Sequence, residues 1–160
     1  MRHYRRNLPH IEEFSASYFV TFSTRGIFLS AAARSIVFKH CLHEHGKRVE
    51  MFVFVVMPDH VHMIFTPLHN ENFEPFPLLQ IMKGIKGASA YYVNKLLGRK
   101  GALWHEESFD RILRLGDFQN KLNYILANPI DAGLAARPDQ YQWLWSQPAQ
   151  EHISVLRQSG

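Results

Sequence analysis

Cysteine is close to absent from this chain: Cys41 is the one thiol among 160 residues. It has no partner for an internal disulfide and no second thiolate for a zinc finger, so those frameworks are excluded and a reducing compartment is expected. Long apolar runs are lacking too. None approaches the ~18 residues that a membrane-spanning helix needs, and the opening segment MRHYRRNLPH is charged, with no apolar stretch behind it. Together these absences lead to the expectation of a soluble, cytoplasmic protein with no membrane partner. Repeats and low-complexity segments are also missing. Carboxylates are the scarcer charge, 14 Asp and Glu against 18 Lys and Arg, giving a formal charge of +4 and a pI near 9.3. That excess suits a nucleic acid or another polyanion without requiring one.

What is present reads as globular. An apolar content of 46% in a chain of this length supports one domain over 1–160, with a basic arm at 1–10 and an irregular tail from about 137 to 160. YFVTFST (18–24) is rich in β-branched and aromatic residues and closes on Arg25-Gly26, which predicts a first strand. Ser30 offers an N-cap to a helix carrying Ile36, Val37 and Cys41, with Gly46 at the place of a C-cap. VEMFVFVVM (49–57) is apolar on both alternations, the pattern of a strand covered on both faces and central in its sheet. Pro58-Asp59 then separates it from an extended run, His60 to Thr66, as in a tight hairpin. Leu78, Ile81, Met82, Ile85, Tyr92 and Leu96 recur at helical spacing between about Pro77 and Leu97, despite Gly84 and Gly87. FDRILRL (109–115) predicts a short strand, and Asp117 is placed to cap a helix running to Pro129. The order β-α-β-β-α-β-α predicts an α+β, ferredoxin-like antiparallel sheet with helices mainly on one face.

Two features carry chemistry. In a strand, residues two apart share a face. His60 and His62 therefore stand side by side with Ile64 and Thr66, while Val61, Met63 and Phe65 turn the other way. A pair of neutral imidazoles on a rigid strand can hold a divalent cation, although two solvated histidines need no metal. Along the last helix, Phe118, Leu122, Ile125 and Leu126 gather into one apolar sector. Tyr124 lies roughly 145° from the centre of that sector, and Asn128 lies beside it one turn on. A surface tyrosine packing on a neighbour would look the same. Near a bound cation and a polarised phosphodiester, however, a phenol can serve as a nucleophile toward phosphorus.

MPDHVH (57–62) resembles the His-hydrophobe-His motif of the HUH endonucleases, and YILANPIDAGL (124–134) resembles a segment of the single-tyrosine transposases, the REP-associated tyrosine transposases of bacteria in particular. The similarity extends through YFVTF, through MKGIKGASAYYVNKLLGRKGALWHEESFDRILR (82–114) and into the aromatic tail around YQWLWS, so it covers most of the chain in the family's order. The resemblance implies that His60 and His62 bind Mg²⁺ or Mn²⁺, that Asn128 completes the metal site, and that Tyr124 is the nucleophile. It implies cleavage of single-stranded or hairpin DNA through a 5′-phosphotyrosine with release of a 3′-hydroxyl, and relatives include homodimers. Two imidazoles and an amide are a sparse donor set for Mg²⁺, which prefers oxygens, so phosphate oxygens of DNA are expected to complete it. Candidate DNA contacts are Arg2, Arg5 and Arg6 in the arm, Lys83 and Lys86 on one helix face, and Trp104 and Arg111, with His105 and Phe109, before the last helix; Trp104 would serve equally as a core residue, and lysines on an exposed helix face are ordinary. Glycines 84 and 87 would let a phosphate backbone approach that face. A DNA- or RNA-binding module that had lost the chemistry, or a metal hydrolase acting on another phosphate ester, remain as alternatives. The second leaves Tyr124 and the basic surface without a task.

Overall fold

A computed structural model describes residues 16–148. Strand β1 (Ser17–Ser23) leads to helix α1 (Ala31–His43), the hairpin β2 (Val49–Val56) and β3 (His60–Pro67), helix α2 (Leu78–Leu97), strand β4 (Phe109–Leu113), helix α3 (Phe118–Asp131) and a short strand β5 (Leu144–Ser146). The sheet order is β4-β1-β3-β2-β5 with every neighbour antiparallel. Its first four strands and two crossover helices make the expected ferredoxin-like unit.

The sheet has two apolar faces. Tyr18, Val20 and Phe22 of β1, Val61, Met63 and Phe65 of β3 and Met51, Phe54 and Val56 of β2 pack beneath α1 and α2. Phe19, Val53, Val55, Ile64 and Leu113 face the other way, onto Leu122 and Ile125 of α3. A register shift between Met51 and Val53 makes Phe52 the extra residue of a bulge and sends it to the α3 face as well. Every β2 residue except Glu50 is therefore buried, as the doubly apolar pattern predicts. β2 is nonetheless not the middle strand. That place belongs to β3, while β5 on its far side makes β2 an interior strand paired along both edges.

Several boundaries depart from expectation. Ser30 caps α1 as predicted, accepting from the Ala33 N–H, but the helix ends on Glu44 in an ordinary helical conformation. Gly46 serves the next turn instead, with φ +83° and its N–H donated to Val49 O. The buried stripe of α2 runs Leu78, Ile81, Met82, Ile85, Ser89, Val93, leaving Tyr92 and Leu96 outside it. Asp117 makes no side-chain cap, since a 3-10 turn over Leu115–Asp117 feeds straight into α3. α3 continues through Pro129 to Asp131, where the missing proline N–H falls in the last turn and the chain closes on itself through Leu134 N–H to Pro129 O.

The tail is more ordered than its composition suggests up to residue 148. Tyr141 is buried and its hydroxyl donates to Val56 O at 2.7 Å, Trp143 donates to Ser35 Oγ, and Trp145 lies on Phe54. These contacts hold β5 against β2 and close the edge of the hairpin that carries His60 and His62. No helix among the described residues is long and apolar enough to cross a membrane.

Candidate active site

The hairpin turn that precedes His60 is anchored from both sides. Met57 N–H donates to His60 O, Thr24 N–H to Asp59 O and Leu29 N–H to Pro58 O, so the start of β3 is held by the loop after β1. Strand alternation then puts His60 and His62 on the face that α3 crosses. α3 turns Leu122 and Ile125 into the core, and Tyr124 stands out of that stripe with 48% of its surface exposed. The rings meet there: the His60 and His62 centroids are 4.7 Å apart and those of His62 and Tyr124 5.2 Å. Phe19 walls the site, stacked on His62 at 5.7 Å and edge-on to Tyr124 at 6.2 Å. One chain supplies all of these groups.

His62 is only 6% exposed, and its Nδ1 shares a 2.7 Å hydrogen bond with Thr21 Oγ1. Burial above all, helped by the neighbouring His60 and Lys121, pushes its pKa down to about 3, so the ring is neutral at physiological pH. When Nδ1–H donates to Thr21, Nε2 keeps its lone pair. His60 is oriented in the same sense, its Nδ1–H donating to the Asp59 carboxylate at 2.8 Å. Asn128, one turn beyond Tyr124, holds a buried Oδ1 with no hydrogen-bond partner among the described residues. An orphaned buried acceptor is costly unless something fills it. Two imidazoles with free Nε2 positions and this oxygen are the groups that could hold a cation. Among the described residues no cluster of three or more His, Cys, Asp or Glu side chains offers another place for one.

Lys121, Thr21 and Asp59 are absent from the residues singled out by pattern. Lys121 lies one turn before Tyr124 and was legible from that spacing. Its Nζ is 4.9 Å from the Phe19 ring centre and 5.6 Å from that of Tyr124, which brings a positive charge to the phenol. Thr21 meets His62 only through the β1–β3 register.

The expected DNA contacts fare unequally. Arg111 is exposed on β4 and pairs across from Phe19, so it shares the face of the site. Phe109, half exposed, pairs across from Thr21 and lines a groove of about 570 Å³ together with Arg25, His105 and Glu107. A second groove of about 320 Å³ runs past His60, Asp59 and Phe28. Trp104, by contrast, is 5% exposed, donates its Nε1–H to Ser89 Oγ at 3.0 Å and meets Phe22 edge-on at 4.7 Å. It is a core residue and not a platform for bases. Trp104→Ala is therefore expected to cost about 3–5 kcal/mol of folding stability, read by urea denaturation. A change within about 0.5 kcal/mol, as at surface positions, would contradict this placement.

Lys86 is also committed elsewhere. Its ammonium donates to His105 O, Glu106 O and Ser108 Oγ, which uses all three of its hydrogens to brace the loop before β4. Lys83 is exposed, on the helical layer that covers the other face of the sheet. The space beside Gly84 is filled by the Arg48 guanidinium, so that glycine admits a side chain and not a phosphate backbone. Gly87 faces open space. Arg2, Arg5 and Arg6 lie outside the described residues.

A family model described as "Transposase IS200 like" matches residues 20–124. The chain belongs to the IS200-like transposase family. The matched stretch contains both histidines of the site and ends on Tyr124, with Asn128 just beyond it. Among solved structures, a REP-associated tyrosine transposase bound to a REP hairpin is similar at TM-score 0.63 and 19% identity, covering 81% of this chain and 76% of that one. That likeness shows the fold. A putative transposase from Deinococcus radiodurans matches at TM-score 0.47 and 18% identity, over 70% of this chain and 89% of that one. None of the curated proteins matches the chain.

Proposed function

We propose that this IS200-like transposase cuts and rejoins single-stranded DNA, on hairpin-forming repeat sequences, with Tyr124 as its nucleophile. The observation that carries the reading is the exposed Tyr124 phenol standing 5.2 Å, ring to ring, from a buried, neutral His62. The likeness to a transposase that holds a REP hairpin supports a hairpin substrate.

The Tyr124 oxygen attacks phosphorus in the scissile strand and its proton passes to solvent. The bond from phosphorus to the 3′-oxygen breaks, and that oxygen leaves as a 3′-hydroxyl after taking a proton from water. The product is a 5′-phosphotyrosine. A second 3′-hydroxyl then attacks the same phosphorus and restores the phenol, so no external energy source is needed. His60, His62 and Asn128 would hold Mg²⁺ or Mn²⁺, with DNA phosphate oxygens completing the sparse donor set. Such an ion supplies Lewis acidity at the phosphoryl oxygens and orients the scissile bond. Phe19 and Phe109 offer ring surfaces to unpaired bases, and Arg111 offers a cation to the backbone. His60, His62, Phe19 and Tyr124 of one chain meet in this arrangement, which supports action of the tyrosine beside the histidines of its own chain.

The test is incubation with Mn²⁺ and hairpin-bearing single-stranded DNA from the flanks of the gene, followed by a denaturing gel. A covalent protein–DNA band is the expected result. Tight hairpin binding with no band on any such substrate would replace this reading with that of a catalytically silent binding module.

Lys121 supports the same chemistry. Its Nζ lies 5.6 Å from the centre of the Tyr124 ring, and a fixed charge of this kind acts without reorganisation on the charge that shifts during the transfer. Lys121→Met keeps the aliphatic stem and removes the charge. Adduct formation is expected to slow about 10- to 100-fold in single-turnover experiments, with hairpin affinity changed far less. An unaltered rate would remove Lys121 from the site's chemistry.

A further inference from the structure

The two helices on the other side of the sheet contain no acidic residue. α1 reads AAARSIVFKHCLH and α2 reads LLQIMKGIKGASAYYVNKLL, although the chain carries 14 carboxylates. Between them runs a groove of about 470 Å³ lined by Ile36, Lys39, His40, Tyr92, Lys95 and Leu96. Its rings are arranged as a platform. His40 and Tyr92 stack at 5.4 Å with 14° between their planes, and Tyr91 stands edge-on to Tyr92 at 4.9 Å. Tyr91, Tyr92 and Leu96 are 61%, 48% and 49% exposed, an unusual amount of ring surface to leave in water beside two lysines.

We propose that this α1–α2 groove is a second, non-catalytic binding site for an unpaired nucleic-acid strand, whose bases stack on Tyr91 and Tyr92 while Lys39 and Lys95 neutralise its phosphates. Stacking on aromatic faces combined with flanking cations is how single strands are held without regard to sequence. Paired DNA hides its base faces and would use the lysines alone. A second copy of the chain is a poor occupant, since it would set Lys39 and Lys95 against their own kind with no carboxylate on either helix to answer them. The local field is consistent: burial first, then Lys39 and His43, lower the pKa of His40, which favours a neutral ring able to stack. The site lies on the face of the sheet opposite Tyr124 and does not depend on chemistry there. It gives a transposase a hold on a strand whose reacting part is elsewhere.

The test uses the full chain in EDTA, so that no cleavage intervenes, with a 5-iodouracil-containing oligonucleotide that has no secondary structure. Irradiation is expected to crosslink the strand to Tyr91 or Tyr92, read by peptide mass spectrometry. Tyr92→Leu and the double change Lys39→Gln with Lys95→Gln are each expected to weaken binding roughly tenfold. The double change should also flatten the salt dependence of log affinity by about 1.4, or 0.7 per phosphate. The substitutions lie on exposed surface, and circular dichroism confirms that each variant is folded. Crosslinks confined to other elements together with unchanged affinity would overturn the proposal. So would variants that bind the strand normally but lose a concentration-dependent self-association, or binding of an acidic peptide, in its place.

Discussion

Tyr124→Phe is expected to abolish the covalent protein–DNA band and to lower strand cleavage by on the order of 10⁴-fold or more, while hairpin affinity stays within about twofold. The substitution removes one oxygen and keeps the ring. The contacts of that ring with His62, Phe19 and Lys121 are therefore preserved, and a folding defect is not available as an explanation. On the proposed reading affinity would rest on cations and stacking surfaces and would not need the hydroxyl. The result discriminates sharply because the other phenols among the described residues stand apart from the site, Tyr18 lying buried in the core beneath α1 and α2. Tyr141 is buried and bonded to the Val56 carbonyl, and Tyr91 and Tyr92 stand on α2, beyond the opposite face of the sheet. Adduct formation by the Phe variant, with the DNA mapped to any of these, would remove Tyr124 as the nucleophile.

The parts of this molecule that were legible in the sequence are those set by local periodicity. A period of two puts His60 and His62 on one face of β3, and a period of 3.6 puts Tyr124 outside the apolar stripe of α3. Neither statement needs knowledge of what lies across the sheet. That α3 covers the face bearing the histidines does need it, and only the three-dimensional arrangement brings the two features within reach of each other. Trp104 shows the opposite case. Its position before β4 looks like a base platform, but Phe22 and Ser89 receive it, and nothing in its neighbours along the chain announces them. Lys86 is similar, a cation at helical spacing whose partners are loop oxygens about twenty residues away. β5 is three residues long, too short to show alternation, and its pairing with β2 is held by Tyr141, Trp143 and Trp145 acting as anchors. Glycine 84 was legible as a close approach, but the group approaching is Arg48.

The second large effect is expected at His62. Burying an imidazole to 6% exposure has a cost, and the ring recovers part of it through Thr21 while Nε2 has no hydrogen-bond partner among the described residues. A purely structural histidine would need no unpaired Nε2 in a ring that meets both His60 and the phenol. If the pair holds a cation, His62→Ala removes a donor outright, and cleavage should fall on the order of 10³-fold or more, with Mn²⁺ affinity falling at least about 100-fold. That affinity is read by Mn²⁺ electron paramagnetic resonance without DNA turnover, so it is independent of activity. Thr21→Val separates position from donation. It keeps the volume, leaves both imidazoles in place and removes only the hydrogen bond that fixes the His62 ring. Supporting groups of this kind are worth about 10- to 100-fold in metal affinity or rate, and the Val variant should land in that interval, with folding stability lower by the roughly 1–3 kcal/mol that an unpaired buried Nδ1–H costs. The ordering wild type, then Thr21→Val, then His62→Ala, in both Mn²⁺ affinity and cleavage, is what a strand-borne ligand held by a neighbouring strand requires. Equal Mn²⁺ affinity in all three would sink the metal role of the pair and leave His62 as a buried wall beneath Tyr124.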